Sequence, residues 1–446
     1  MSSGSLRRLL ALAITALLAV ALLLPGAAGA KGHHHPSKFR GQQHGNGPHR
    51  HGNGNKHRHH HGNGNEHRHH HGHPGGGHPG WGHPGGGHPG EGHGHGKVVG
   101  VMTRNLYLGA DLSPAIGAPS LEAFVAANGQ VLREVTANDF PTRAVGLAAE
   151  IEAEKPDLVG LQEVALWRTA PPSLTPILTG EPTATTVRYD YLQLLLEQLN
   201  DGPGPGYEVA VVQNEFDLEA PADENGVAGD GPNPAIANAE INGRLTMRDA
   251  ILVRRGSGTQ VANPTSGNFN ALLSVPILGN QLTIKRGWTA LDARVRGSGW
   301  FRFVNTHLEA FDPPQLVPSI RALQAAELVA PGGPAANGAL PVVLVGDLNS
   351  DDDTVSPGDQ QAYRVLLEAG LSERSTNDPL GCCLNSSLLA EGAGGSVADF
   401  DHQVDHVMTD EPAIALEHSE VTGLLPVNGF WDSDHAGLFS ALDFEP

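Results

Sequence analysis

Short apolar runs, most of them closed by glycine or proline, recur along residues 97–446 and commit this chain to a sheet-built fold. They occupy residues 98–103, 157–161, 208–212, 250–254, 301–306, 341–345 and 435–442, each about the length of one strand. Apolar residues stand side by side in these runs rather than alternating, which predicts strands covered on both faces. Helical spacing fills the gaps between them. Residues 142–154 place Ala144, Leu147, Ala148 and Ile151 on one helical face and stop before Pro156; residues 187–199, 320–329 and 361–369 follow the same period. Strands alternating with helices imply an α/β protein. Two stretches, 109–138 and 217–243, mix Pro, Gly, Asn and acidic residues and read as long irregular loops that face substrate.

The first ninety-six residues have another character. Arg7 and Arg8 precede an apolar run from Leu9 to Leu24, and Ala28-Gly29-Ala30 supplies small residues at a cleavage site, so residues 1–30 read as a signal peptide. The expected location is secreted or periplasmic, with no transmembrane segment. Residues 31–96 hold 20 of the 25 histidines, with the repeats HGNGNKHRHH and HGNGNEHRHH followed by HPGGG, HPGWG, HPGGG and HPGEG. Such a segment buries too little apolar surface to offset its ordering entropy and is expected to be a disordered tail. Its imidazoles suit Zn²⁺, Ni²⁺ or Cu²⁺; a soluble, pH-responsive linker is the plainer alternative.

Residues 97–446 read as one domain carrying 19 basic and 46 acidic side chains, a formal net charge of −27. That field argues against a stable nucleic-acid complex, which depends on basic side chains meeting phosphates. It leaves phosphate chemistry open, because a bound divalent cation inverts the local charge. The only cysteines, Cys382 and Cys383, are adjacent. A vicinal disulfide and a pair of thiols in an unremarkable loop are both compatible with that pattern.

The chemistry-bearing residues stand where the apolar runs end. PVVLVGDLNS, residues 341–350, carries a strand into Asp347 and Asn349, two positions apart and therefore on one side of an extended chain. Alone, this segment reads equally well as a strand followed by an Asx-rich turn. The design recurs, however: 157–161 runs into Gln162-Glu163, 301–304 into Asn305-Thr306-His307, 98–103 into Asn105, and Ser433-Asp434-His435 precedes the last run. Open α/β sheets place their sites at strand C-termini, and turn statistics do not account for so many metal-competent or proton-transferring residues together.

TRNLYL, LQEV, NTHLEA, GDLNS, QVDHV and SDHAG, in that order, resemble the endonuclease/exonuclease/phosphatase superfamily across residues 97–446. The resemblance implies a four-layer sandwich, two mixed β-sheets face to face with helices outside. It implies Glu163 as principal ligand of a divalent metal, Mg²⁺ with Mn²⁺ or Ca²⁺ as alternatives, and Asn105 and Asp434 completing that site. By the same resemblance Asp347 and Asn349 position and activate water, His307 contacts the scissile phosphate, and His435 pairs with an acid at Asp405. Gln403 stands where the family usually has Arg before that acid, and Asp399 and Asp401 lie nearby. Asp249 is the candidate second acidic helper.

Phosphoester hydrolysis needs neutralised equatorial oxygens, an in-line nucleophile and help for the leaving oxygen, and these residue types supply all three. The expected activity is a secreted metal-dependent phosphoesterase, a monomer acting on a small phosphoester, a lipid headgroup or nucleic acid. A nuclease is the first alternative; a non-enzymatic metal-binding surface protein with a degenerate catalytic fold is the second.

Overall fold

The structure is a computed structural model that describes residues 97–444, apart from 314–315, 353–358, 377–379 and 392–393. The signal-peptide and His-rich-tail readings of residues 1–96 lie outside the described residues.

The first sheet has eight strands: β1 (Lys97–Asn105), β2 (Leu158–Gln162), β3 (Leu166–Ala170), β4 (Thr186–Asp190), β5 (Tyr207–Ala222), β6 (Ile241–Arg254), β15 (Ile414–Thr422) and β16 (Gly437–Phe444). Its order is β15-β16-β1-β2-β6-β3-β4, with β5 paired along the free side of β6. The second sheet runs β13 (Ser372–Glu373), β14 (Asp405–Thr409), β12 (Val342–Asp347), β11 (Phe301–His307), β10 (Gly287–Arg294) and β7 (Gln260–Asn268). Strands β8 (Leu273–Ile277) and β9 (Asn280–Ile284) form a separate hairpin. Each large sheet contains one parallel pair among antiparallel neighbours, β1 with β2 and β11 with β12.

The apolar runs explain the layering. Val99 and Val101 of β1, Ile251 and Val253 of β6, Phe301 and Phe303 of β11, and Val343 and Val345 of β12 meet in one core between the sheets. Their odd-even partners turn outward. Of the helices α1 (Ser113–Ile116), α2 (Leu121–Ala137), α3 (Phe140–Glu154), α4 (Thr175–Thr179) and α5 (Tyr191–Asp201), the second, third and fifth cover Met102, Leu161 and Leu252. Val304, Val342 and Leu344 pack under α6 (Ile320–Val329) and α7 (Gln361–Glu368). The result is the expected helix–sheet–sheet–helix sandwich. At the seam Gln162 donates to Asn305 Oδ1 at 2.6 Å, and Asn305 donates to the carbonyls of Leu161 and Ala250, so amides tie the two sheets together beside the site. Gly160 permits this approach, because a Cβ there would lie 2.5 Å from Asn305 Oδ1.

Three local expectations are corrected. Residues 187–190 are not helical: they lie in β4, paired with β3, and the helix starts at Tyr191 once the Asp190 carboxylate caps Gln193 N–H. Residues 109–138 are not a loop throughout, for residues 121–137 form α2, capped by Ser120 and burying Phe124, Val125, Val131, Leu132 and Val135. Its apolar period was interrupted by Asn128 and Gly129, yet a Cβ on Gly129 would strike the Asp223 carbonyl at 1.7 Å. The glycine that weakened the helical pattern is the one packing requires. Residues 217–243 likewise begin and end in strand, since β5 extends to Ala222 and β6 opens at Ile241.

Candidate active site

The second sheet sets three site residues in a row. His307 is the register partner of Asp347 across the parallel pair β11 and β12, and Asp347 is the register partner of Asp405 across β12 and β14. Registered residues on neighbouring strands project to the same face, so an imidazole and two carboxylates stand side by side. Asp347 is the hub. Its Oδ2 accepts from Asn105 Nδ2 at 2.9 Å and its Oδ1 from Asn349 N at 2.8 Å. His307 Nε2 lies 3.5 Å and His435 Nε2 3.7 Å from Oδ2. Asp405 Oδ2 in turn is 2.7 Å from His435 Nδ1. Of the acids near residue 400, Asp405 alone reaches His435: Asp399 bonds Ser396, and Asp401 pairs with His402.

The first sheet supplies the opposite wall. Asn105, opposite Gln162 in register, accepts from Tyr107 N–H at 2.9 Å through its Oδ1. Glu163 follows β2 with φ of 54°, a left-handed conformation costly for a residue with a Cβ. That turn brings its Oε2 to the Leu108 N–H at 2.7 Å. Asp434 accepts from Ser433 Oγ at 3.3 Å. Glu163 and Asp434 are half-buried, whereas Asp347, His307 and His435 are buried, so the two carboxylates form the rim and the imidazoles the floor.

Proton affinities follow from this placement. Burial, then the charge of Asp434, pushes the Glu163 carboxyl up to about 7. Burial, with Asp347 adding to it, raises Asp434 as well. Two carboxylates that burial and negative neighbours make reluctant to ionise are a hard-oxygen donor set that a divalent cation would relieve, and the residues fit Mg²⁺ in that sense. Burial would also raise Asp347, but the imidazoles of His435 and His307 and the Asn349 and Asn105 hydrogen bonds outweigh it and hold the carboxyl below its ordinary range. Burial alone would depress His435; Asp405, then Asp347, overcome this and lift the imidazole well above its ordinary value. His307 moves the other way, depressed by burial and by Arg286. The floor thus presents one cationic and one neutral imidazole flanking one carboxylate.

The sequence model of the endonuclease/exonuclease/phosphatase family matches residues 126–435. The chain belongs to that family. Its members are hydrolases of phosphoester bonds. Similar solved structures include an endonuclease/exonuclease/phosphatase family protein from Leptotrichia buccalis C-1013-b, 13% identical, covering 78% of this chain and 100% of that one with a TM-score of 0.45. One from Beutenbergia cavernae DSM 12333 is 21% identical over 78% and 72% of the two chains, TM-score 0.44. A mannosyl-6-phosphatase from Bacteroides thetaiotaomicron VPI-5482 is 16% identical over 78% and 100%, TM-score 0.41. No curated protein matches the chain at a significant level.

In this member of the family, Asn349 acts on Asp347 through its backbone. Its φ is 45°, its Nδ2 donates to the Leu308 carbonyl at 3.1 Å, and Arg321 donates to its carbonyl. Asp249 lies behind His307, buried, grouped with Glu215 so that one donor atom of each of the three lies within 4.8 Å of the others. Several neighbours carried no sequence signal. Arg286, buried beyond the hairpin of β8 and β9, sets Nη1 3.0 Å from His307 Nδ1, with Glu309 at 3.9 Å from its Nη2. Burial pushes Glu215 up to about 8, so this acid keeps its proton next to Arg286. Arg143, wholly buried, donates to the carbonyls of Asn138, Leu106, Asp432 and Tyr107, clamping the segment after β1 to the one carrying Asp434. The sulfurs of the adjacent Cys382 and Cys383 lie 3.7 and 3.8 Å from His435 Nε2, so the pair borders the site. Among the described residues no helix is long and apolar enough to cross a membrane.

Proposed function

We propose that this protein is an exported, divalent-metal-dependent phosphoesterase that cleaves its substrate by in-line attack of water. The observation that carries the reading is Asp347: a buried carboxylate held ionised, with fixed donors on both oxygens and an imidazole on either side. Such a group can orient a water molecule and take its proton. Glu163 and Asp434, with Asn105 behind them, would hold Mg²⁺, which supplies charge neutralisation at the phosphate and the leaving oxygen when bound. His435, made cationic by Asp405, donates hydrogen bonds to a phosphate oxygen as negative charge builds there. His307, kept neutral, offers a directed donor to the same phosphate, its ring seated by Arg286 and backed by Asp249. Asn349 fixes the Asp347 carboxylate in the plane from which it acts.

The acidic surface favours a small or amphiphilic phosphoester over a polynucleotide. The test is hydrolysis of bis(4-nitrophenyl) phosphate with added Mg²⁺ and with a chelator. We expect turnover only with metal, falling at least a hundredfold in Asp347→Asn and His435→Ala while both variants melt within a few degrees of the parent. Turnover that survives chelation, or that persists in both variants, would overturn the reading.

A further inference from the structure

Beside the hard-oxygen donors, the chain gathers a second and chemically different group of metal-competent atoms. Cys382 Sγ, Cys383 Sγ and His435 Nε2 lie within 4.8 Å of one another, the sulfurs 3.7 and 3.8 Å from the imidazole nitrogen. Donors on one tetrahedral zinc, with Zn–S about 2.3 Å and Zn–N about 2.0 Å, stand roughly 3.6 Å apart, so the imidazole is already at ligand spacing from both sulfurs. The sulfurs are in contact with each other. Sharing one ion sets them apart, and Cys383, exposed where Cys382 is buried, is the one free to turn.

The group is held from the backbone and from behind. Cys382 bridges His435 as an antiparallel partner, Ala436 N–H donates to the Gly381 carbonyl at 2.7 Å, and Leu384 N–H donates to the Asp434 carbonyl at 2.9 Å. The cysteine segment and the histidine segment are thus zipped together on both sides of the three donor atoms. The other imidazole nitrogen, Nδ1, donates to Asp405 Oδ2 at 2.7 Å. A carboxylate on the far nitrogen fixes the ring and aims Nε2, the outer-shell pattern of metal-binding histidines. The exposed Cys383 supplies an entry path. Two sulfurs and an imidazole select a soft or borderline ion, whereas the carboxylates of Glu163 and Asp434 suit Mg²⁺.

We infer that the dithiol form of this protein binds one soft divalent cation, of which Zn²⁺ is the type, through Cys382, Cys383 and His435, and that the bound ion inhibits hydrolysis. Binding forms two metal–sulfur bonds and one metal–nitrogen bond, and it releases the proton of each thiol and the proton on His435 Nε2. An imidazole engaged in this way has no N–H to offer a phosphate oxygen. Oxidation of the pair to a vicinal disulfide abolishes the site, because the thiolate is the ligand. The inhibition rests on the phosphoesterase reading; the cation site does not.

The test takes the full chain, reduced with a phosphine and titrated with Cd²⁺ in excess Mg²⁺. The thiolate-to-cadmium charge-transfer absorption in the ultraviolet reports Cys382 and Cys383, the only cysteines, and is blind to the histidines of residues 31–96. It should saturate at one ion per chain in the parent and vanish when both cysteines are replaced by serine. In His435→Ala it should require at least ~100-fold more Cd²⁺, above what loss of an outer-shell partner costs. Cys383→Ser alone, at the exposed position, guards against misfolding of the double variant and should weaken binding at least ~10-fold. At the lowest Zn²⁺ concentration that saturates the reduced parent, its turnover of bis(4-nitrophenyl) phosphate should fall about a hundredfold, while Cys383→Ser keeps its own zinc-free rate. A reduced parent without the band, or a band that His435→Ala leaves at the same Cd²⁺ concentration, would overturn the site. A saturated site with undiminished turnover would overturn the inhibition. Turnover with Mg²⁺ and no band removes the site and keeps the phosphoesterase. A band with the expected losses and no turnover under any metal removes the phosphoesterase and keeps the site.

Discussion

Replacing Glu215 by glutamine should change how stability depends on pH, by an amount the site itself fixes. In the folded protein burial raises this carboxyl from 4.5 to about 8, against the lowering influence of Arg286. Below pH 4.5 the group is protonated whether the chain is folded or not, and it adds no pH dependence. Between 4.5 and 8 the unfolded chain releases the proton while the folded protein retains it, so the native state loses ground as pH rises. Linkage sets the loss at about 1.4 kcal/mol per pH unit, on the order of 5 kcal/mol across the interval. Sharing of the proton with Asp249, whose carboxyl is raised by burial and by Glu215, makes this a ceiling. Glutamine keeps the shape and does not titrate. Melting temperatures of parent and Glu215→Gln, taken from pH 4.5 to 8.5, should start close together and diverge, the variant ending roughly 5–10 °C higher relative to the parent. Parallel curves, or a variant that falls faster above pH 6, would refute the assignment of a stored proton behind His307.

Asp405→Asn removes the charge that lifts His435, so the alkaline limb of kcat/KM should move to lower pH and the maximum should fall about a hundredfold or more; an unmoved limb would exclude His435 as the cationic donor. Arg143→Met leaves four buried carbonyls without their donor and should cost about 3–5 kcal/mol in urea unfolding, with kcat lowered more than KM is raised because Asp434 loses its brace. Deleting residues 31–96 should abolish Zn²⁺ or Ni²⁺ binding in equilibrium dialysis and leave turnover of a soluble phosphodiester intact.

What sequence made legible was whatever depends on local apolar pattern. Strands β1, β2, β11 and β12 announced themselves because both faces are buried and nothing interrupts the run, and the candidate site residues were proposed from their positions at the ends of those runs. Strand β7 did not, since it is largely exposed and its composition is that of a loop. The helix α2 was hidden by Gly129, whose role is set by a carbonyl ninety-four residues downstream. Arg286 and Glu215 fall in the same category: each is one charged residue in an ordinary segment, given meaning only by which buried groups the two sheets bring near it. The adjacent cysteines were conspicuous in sequence, but their proximity to His435 is a property of the chain path.

The site is divided between the two sheets, Asn105 and Glu163 on one, His307, Asp347 and Asp405 on the other, with Asp434 and His435 arriving last along the chain just before β16 inserts beside β1. No single stretch of polypeptide, and neither sheet alone, holds a working set. On the proposed reading, hydrolytic competence would report completed folding, because Asp434 and His435 join the set only when β16 takes its place beside β1.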